Sequence, residues 1–395
     1  MMVFRDVYKR QIFNDSIEYE VDKEWTRGFL EIFKSQKGYD LTPYLPAVGK
    51  EGYYNTGVGP NYEFTEDGMA DRINNDYEDV LNYCFTEYHL KPLQSMAKNH
   101  GIDIRYQVAY NKPLSMETSA LYVGVPETEY LVNPSGDDLS AAGKAPGNFL
   151  SGRAMSSSIH MTDQKILSAE MTAEFLNAYG QSYEDFAWWA KRGWACGINR
   201  QVMHGSSYSG VWDNGELHGA MGDHWPGWQA FSGAMANDFN RNTSVELAKT
   251  TVDYISRYNY IMQKDARMDL AFYRDFNNTD YSDSAEAGGV LVNAEGYSFD
   301  YVSPGTLNYE TAVVTNGVLN QKEAAYKALV LFDQQELEPA DAEKILQLAQ
   351  DGLPVVLVGE KPIKIKNYSN LLDENTDQTI SQITDCLLYT SYAVK

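Results

Sequence analysis

Strand-length aliphatic runs alternate with helix-length amphipathic stretches along most of this chain. That rhythm constrains the fold more than any single motif, because a strand followed by a helix returns to its sheet as a parallel neighbour. The run 12–19 (IFNDSIEY) precedes 22–38, where Trp25, Phe29, Ile32 and Phe33 recur at helical spacing and Gly38 closes the helix. The stretch 76–101 reads as helix, with a kink expected near Pro92, and 102–110 as the strand behind it. The segment 125–131 offers a further strand end, 147–161 a helix, 165–172 (KILSAEMT) a strand, 182–197 a helix and 198–208 a strand. About five strand–helix units result, fewer than a closed (β/α)8 barrel requires, so the expected fold class is α/β, an incomplete TIM-type barrel. A connecting loop is expected at 277–289, which is acidic and contains glycine. Beyond it, 326–332 and 353–359 flank a helix announced by Pro339 and closed by Gly352, a flavodoxin-like βαβ unit that stops short of a full sheet. The expected division is the C-terminal part of a barrel at 12–276 and a second, partial α/β domain at 290–385.

Two of these strands each deliver carboxylates where the apolar pattern turns polar: 12–19 carries Asp15 and Glu18, and 165–172 carries Glu170. All strands of a parallel barrel open at one mouth, so acids far apart in sequence can face one substrate there. Paired carboxylates, one protonated and one ionised, are the minimal equipment for cleaving a glycosidic bond.

The overall charge narrows the partners. A formal net charge of -23 argues against nucleic acid or an anionic membrane surface and suits a neutral substrate. No apolar run reaches the ~18 residues of a membrane helix. Cys84, Cys196 and Cys386 form neither a CxxC pair nor a disulfide framework. GSSYSG (205–210) lacks the GxSxG spacing of a hydrolase nucleophile elbow, and no phosphate loop with GK[ST] occurs, which lowers esterase and nucleotidase readings. Both ends look foreign: 6–11 (DVYKRQ) and 386–391 (CLLYTS) resemble translated sequencing adaptors, so 1–11 and 386–395 are expected to be non-native flanks of an internal fragment.

The segments FNDSIEY, GFLEIFKSQKGYDLTPYLP, VPETE, KILSAEMT and GINRQVMHG and the later YKALVLF region, in this order, resemble the α-L-rhamnosidases of glycoside hydrolase family 106, over about 12–362. The resemblance implies an inverting glycosidase that removes terminal α-L-rhamnose, often with calcium at the sugar hydroxyls. It also implies a secreted or periplasmic location and a second domain similar to class I glutamine amidotransferases. An inverting enzyme needs an acid to protonate the leaving oxygen and a base, about 6.5–9.5 Å away, to activate water. Glu18 as general acid and Glu170 as general base are the expected pair, their roles open to exchange. Asp15 could raise the proton affinity of Glu18, hold a sugar hydroxyl or cap the following helix. Glu127 and Glu129, two apart on one strand face, could ligate calcium, bind the sugar or form an acidic strand edge. His204 at another strand end is a candidate sugar donor or a packed core histidine, and zinc is not expected because no metal-ligand spacing accompanies it. Trp225 and Trp228 sit in a Gly/Pro-bounded loop where indoles could stack on a sugar ring, whereas for at least one of Trp188 and Trp189 helix packing is the better reading. The acids of 74–79 (NNDYED) read as compensation of a helix N-terminus. A different glycosidase on a related barrel and a non-catalytic carbohydrate-binding protein remain open alternatives.

Overall fold

The computed structural model describes residues 11–17, 21, 23–49, 64, 68–107, 112–132, 146–174, 182–203, 245–275, 292, 295–362, 364–372, 380 and 385. In chain order the elements used below are β1 (Gln11–Asn14), α1 (Phe29–Lys37), α2 (Met69–Phe85), α3 (Lys91–Asn99), β2 (Asp103–Gln107), α4 (Met116–Ala120), β3 (Val125–Val132) and α5 (Pro146–His160). They continue with β4 (Ser168–Glu174), α6 (Tyr183–Ala195), β5 (Arg200–Met203), α7 (Ala248–Met262), β6 (Leu270–Tyr273), β7 (Phe299–Val302) and α8 (Pro304–Leu307). Then come β8 (Val314–Thr315), β9 (Val318–Leu319), β10 (Ala328–Phe332), β11 (Glu336–Leu337), α9 (Pro339–Gln350), β12 (Val355–Val358), β13 (Lys364–Ile365) and α10 (Tyr368–Leu371). The chain divides into two compact units, one of residues 1–125, 157–164 and 266–395, the other of 126–156 and 165–265.

In the first unit, β1 and β2 pair in parallel, Gln11 opposite Asp103 through Asn14 opposite Tyr106. Helices α1 and α2 bury Phe29, Phe33, Ile73, Tyr77 and Val80 against Leu41 and Leu114. The kink expected near Pro92 takes a definite form: a π-turn over Thr86–Leu90 joins α2 to α3, and the Lys91 amide reaches back to Thr86 O. Proline at the second position of α3 has no N–H to give and crowds the carbonyl four residues earlier, and the wider turn accommodates both. A second parallel sheet in this unit has the order β12-β10-β6-β7. All four residues of β7 and four of the five residues of β10 are buried, as expected of parallel strands covered on both faces. Helix α9 lays Ile345 and Leu348 on Leu329, Leu331 and Val355, which completes the β10–α9–β12 unit read from the sequence. Strand β6 lies before the loop expected at 277–289, yet it pairs with β7 and β10. The second sheet therefore begins upstream of that loop, because the apolar LAFY of β6 finds its parallel partners there.

The acids of 74–79 also sit differently from expectation. They fall in the middle of α2, not at its N-terminus, and Asp76 is fully buried. It accepts hydrogen bonds from Asn367 Nδ2 (3.0 Å), Ser369 N (2.7 Å), Ser369 Oγ (2.6 Å) and Tyr39 Oη (3.1 Å), and lies 3.2 Å from Lys37 Nζ. Tertiary hydrogen bonds, not a helix dipole, are what the carboxylates of Asp76 and Asp79 serve.

In the second unit, β3, β4 and β5 are parallel, with one register shift between β3 and β4 past Glu129. Helix α6 opens with a capping box in which Ser182 and Asp185 satisfy each other's backbone amides. Trp189 is buried there, and Trp194 stacks on Tyr258 of α7 at 4.8 Å while its Nε1 donates to Asn259 Oδ1 (2.8 Å). Trp188, half-buried, meets Trp189 edge-on at 4.7 Å, and the burial of Trp189 agrees with the expectation that at least one of the two packs in the helix interface.

Candidate active site

Parallel strands in register place paired residues on one face of the sheet, and that fact builds the site. Glu127 of β3 pairs with Ser168 of β4, and Ser168 with Arg200 of β5. Two residues further on, Glu129 pairs with Glu170, and Glu170 with Val202. Alternation puts both rows on one face, about 6.6 Å apart along the strands, with adjacent strands about 4.8 Å apart. Three carboxylates thus share that face. Glu127 is fully buried and its Oε2 accepts the Ser168 hydroxyl at 2.5 Å, while Glu129 and Glu170 are half-buried. On the alternate positions Ala169 and Met171 are fully buried, as expected of the face turned to the core.

Immediately past Glu170 the ladder breaks. The next pair after Glu129–Glu170 is Leu131–Ala173, so β4 carries one residue more than β3 in this interval. The extra residue is accommodated at Thr172, whose φ is 75°. A β-branched residue there costs on the order of 1–3 kcal/mol, and such outliers gather at functional sites. Thr172 is fully buried, its hydroxyl donates to Met171 O, and it lies 3.9 Å from Met203 Sδ on β5.

Of the residues singled out from sequence, Glu170 and Glu129 are side by side and Glu127 is one row below them. Asp15 is exposed just beyond β1, and its Oδ1 accepts the Ser16 amide at 2.9 Å. It does not cap the following helix, since α1 begins at Phe29 with Gly28 as its N-cap. Glu18, His204, Trp225 and Trp228 lie outside the described residues. Glu127 is no exposed strand edge, because it is enclosed and hydrogen-bonded. Sequence reasoning passed over Ser168, Thr172 and Arg200; the first two stand two residues either side of Glu170, a polar period-two pattern that marks a strand face. Among the described residues no group of three or more His, Cys, Asp or Glu side chains converges as a cation cluster. Calcium takes six to eight oxygens. Glu127 and Glu129, with one oxygen of Glu127 already accepting from Ser168, do not by themselves form such a site.

Parallel α/β strands with three carboxylates on one sheet face are an arrangement that TIM-barrel-like glycosidases use, and comparison with known proteins places the chain among them. The profile of the alpha-L-rhamnosidase family, glycoside hydrolase family 106, matches residues 5–391. This chain belongs to that family. A rhamnosidase from Novosphingobium sp. PP1Y superposes with a TM-score of 0.67 at 19% identity, covering 95% of this chain and 33% of that one. Beta-galactosidases from Rahnella sp. R3 (TM-score 0.54, 12% identity, 86% of this chain and 49% of that one) and from Halorubrum lacusprofundi (0.53, 10%, 88% and 52%) share the fold. In sequence the chain is 23% identical over 383 residues to a "Putative beta-glucuronidase" of Formosa agariphila, covering 93% of this chain and 28% of that protein. The chain therefore spans about a third of the length of the Novosphingobium rhamnosidase and of the Formosa protein, and about half that of the beta-galactosidases. No helix among the described residues is long and apolar enough to cross a membrane.

Proposed function

We propose that this chain forms part of a glycoside hydrolase that removes terminal α-L-rhamnose from glycans or glycosides by an inverting, two-carboxylate mechanism. The observation that carries the reading is the placement of Glu170 on a strand face, next to Glu129 and immediately before a strained bulge, within a chain of the α-L-rhamnosidase family. Glu170 is read as the general base and Glu18 as the general acid. Spacing favours this choice over a Glu129–Glu170 pair. Neighbouring strands about 4.8 Å apart fall short of the roughly 6.5–9.5 Å that leaves room for an attacking water. Glu129 is then the charged neighbour: two ionised carboxylates side by side repel, so its proton or cation partner governs how readily Glu170 stays ionised. His204, Trp225 and Trp228 are proposed to bind the sugar, and Glu127 and Glu129 to bind either sugar or calcium. Activity that survives exhaustive chelation would remove the calcium proposal.

For the second sheet we propose a flavodoxin-like, amidotransferase-like domain. The order β7-β6-β10-β12 supports it, since it corresponds to 2-1-3-4 of the flavodoxin-like order. A secreted or periplasmic location is proposed from the family resemblance. The deciding experiment is a screen of nitrophenyl glycosides against the full-length enzyme and its Glu170→Gln variant. The reading predicts hydrolysis of the α-L-rhamnoside and a loss of about 10²–10⁴-fold in turnover in the variant. Wild-type turnover in Glu170→Gln would refute the assignment, and preference for another glycoside would move the enzyme to a different sugar.

A further inference from the structure

We propose that Thr172 is a positioning residue for Glu170, holding the carboxylate's strand in a bulged conformation that the side chain itself locks. The inference rests on the catalytic reading of Glu170 given above. Its starting point is an apparent mismatch of residue and backbone. At φ 75° glycine is free of steric cost and a β-branched residue is not, yet the position is threonine. What threonine offers at this position, and glycine does not, is its side chain. That side chain is fully buried and bridges two strands: the hydroxyl donates to Met171 O on its own strand, and it lies 3.9 Å from Met203 Sδ, on the residue that pairs with Met171 across β4 and β5.

The consequence for Glu170 follows from the register. Glu129 and Glu170 form the last pair before the extra residue, so the bulge fixes where the β3–β4 ladder shifts register and how the side chains on either side of the shift project. An unbulged β4 would keep alternating and bring residue 172 onto the Glu170 face. With the bulge the phase shifts after Met171, and the face beyond Glu170 is released from the regular row. Loss of the lock allows the strand to slide between bulged and regular pairing, which moves the Glu170 carboxylate relative to a bound sugar.

Three variants of the full-length enzyme test this: Thr172→Gly, which tolerates the φ but removes the lock, Thr172→Ala, which keeps Cβ but loses the hydroxyl, and Thr172→Ser, which keeps the hydroxyl. Folding is checked by circular dichroism. The expected result is a fall in kcat of about ten- to a hundredfold for Gly and Ala with KM little changed, and recovery toward wild type for Ser. The carboxylate titration followed by carbon NMR of labelled glutamate, with the Glu170 signal identified by its loss in Glu170→Gln, should shift in midpoint in Gly and Ala and return in Ser. Wild-type kcat and an unchanged Glu170 midpoint in Thr172→Gly overturn the proposal; should that variant fail to fold, the same result in Thr172→Ala does so. Glu170→Gln in parallel separates the two readings. Full turnover there removes the catalytic role of Glu170, whereas an inactive Glu170→Gln beside a fully active Thr172 series removes only the positioning role.

Discussion

Replacing Asp341 with asparagine should make the first unit more stable at neutral pH and flatten its stability between about pH 4 and 7. Asp341 stands in the first turn of α9, is mostly enclosed, and accepts the Tyr273 hydroxyl at 3.0 Å. Burial, and after it the negative charge of Asp275, push its carboxyl up from 3.8 to about 7, against the opposing pull of the Tyr273 hydrogen bond and of Lys366. A folded-state value above the unfolded one means that the unfolded chain releases its proton first as pH rises. The stabilisation is therefore complete below about pH 4, declines through the interval and is lost above about pH 7. A shift of about three pH units corresponds to about 4 kcal/mol at 1.36 kcal/mol per unit. Asparagine has no proton to release and retains an oxygen for the Tyr273 hydroxyl. Set against this, the charge of Asp341 near a helix N-terminus contributes about 0.3–1 kcal/mol, and imperfect amide geometry costs about 1 kcal/mol more. The net expectation is a gain of about 2–3 kcal/mol at pH 7.5 and none at pH 4. Urea unfolding of both proteins at intervals across this range measures it. Parallel stability curves for the two proteins, or a variant weaker at pH 7.5, would refute the reasoning.

The same network supplies a second test. Lys366 lies 2.7 Å from Asp275 with both side chains largely enclosed, and although burial opposes its charge, Asp275, Asp79 and Glu338 together raise its proton affinity. Lys366→Met strands these acids and should cost about 3–5 kcal/mol, seen as a fall of several degrees in the thermal midpoint; an unchanged midpoint would show the pairs to be dispensable. Gly359→Ala addresses backbone geometry: φ is 78°, and a Cβ would stand 1.7 Å from Asp333 Oδ1, which now accepts the Glu360 amide at 3.0 Å. A loss of about 1–3 kcal/mol is expected in chemical denaturation, and neutrality would mean the turn relaxes freely. Chelation of the full-length enzyme decides between the two roles proposed for Glu127 and Glu129: rhamnoside hydrolysis that is lost and then restored by added calcium supports a cation, and unchanged nitrophenol release supports a direct sugar contact.

Much of this was legible in the order of residues. The alternation of aliphatic and amphipathic stretches is local, and a strand or helix period survives whatever surrounds it, so α5, α6, α9, β3, β4, β10 and β12 stand where their patterns placed them. The motif KILSAEMT likewise marked Glu170 as an acid set in a strand. Tertiary structure decided the rest, for reasons of distance along the chain. Pairing partners are not encoded in a strand's own period, so nothing local assigned β6 to the sheet of β7 and β10. The acids of α2 read as compensation of a helix N-terminus until Lys37, Asn367 and Ser369 arrive from far along the chain to enclose Asp76. Register is equally non-local: only the pairing of β3 with β4 sets Glu129 beside Glu170, gives Glu127 the Ser168 hydroxyl, and leaves Thr172 as the one residue too many that the strand must fold around.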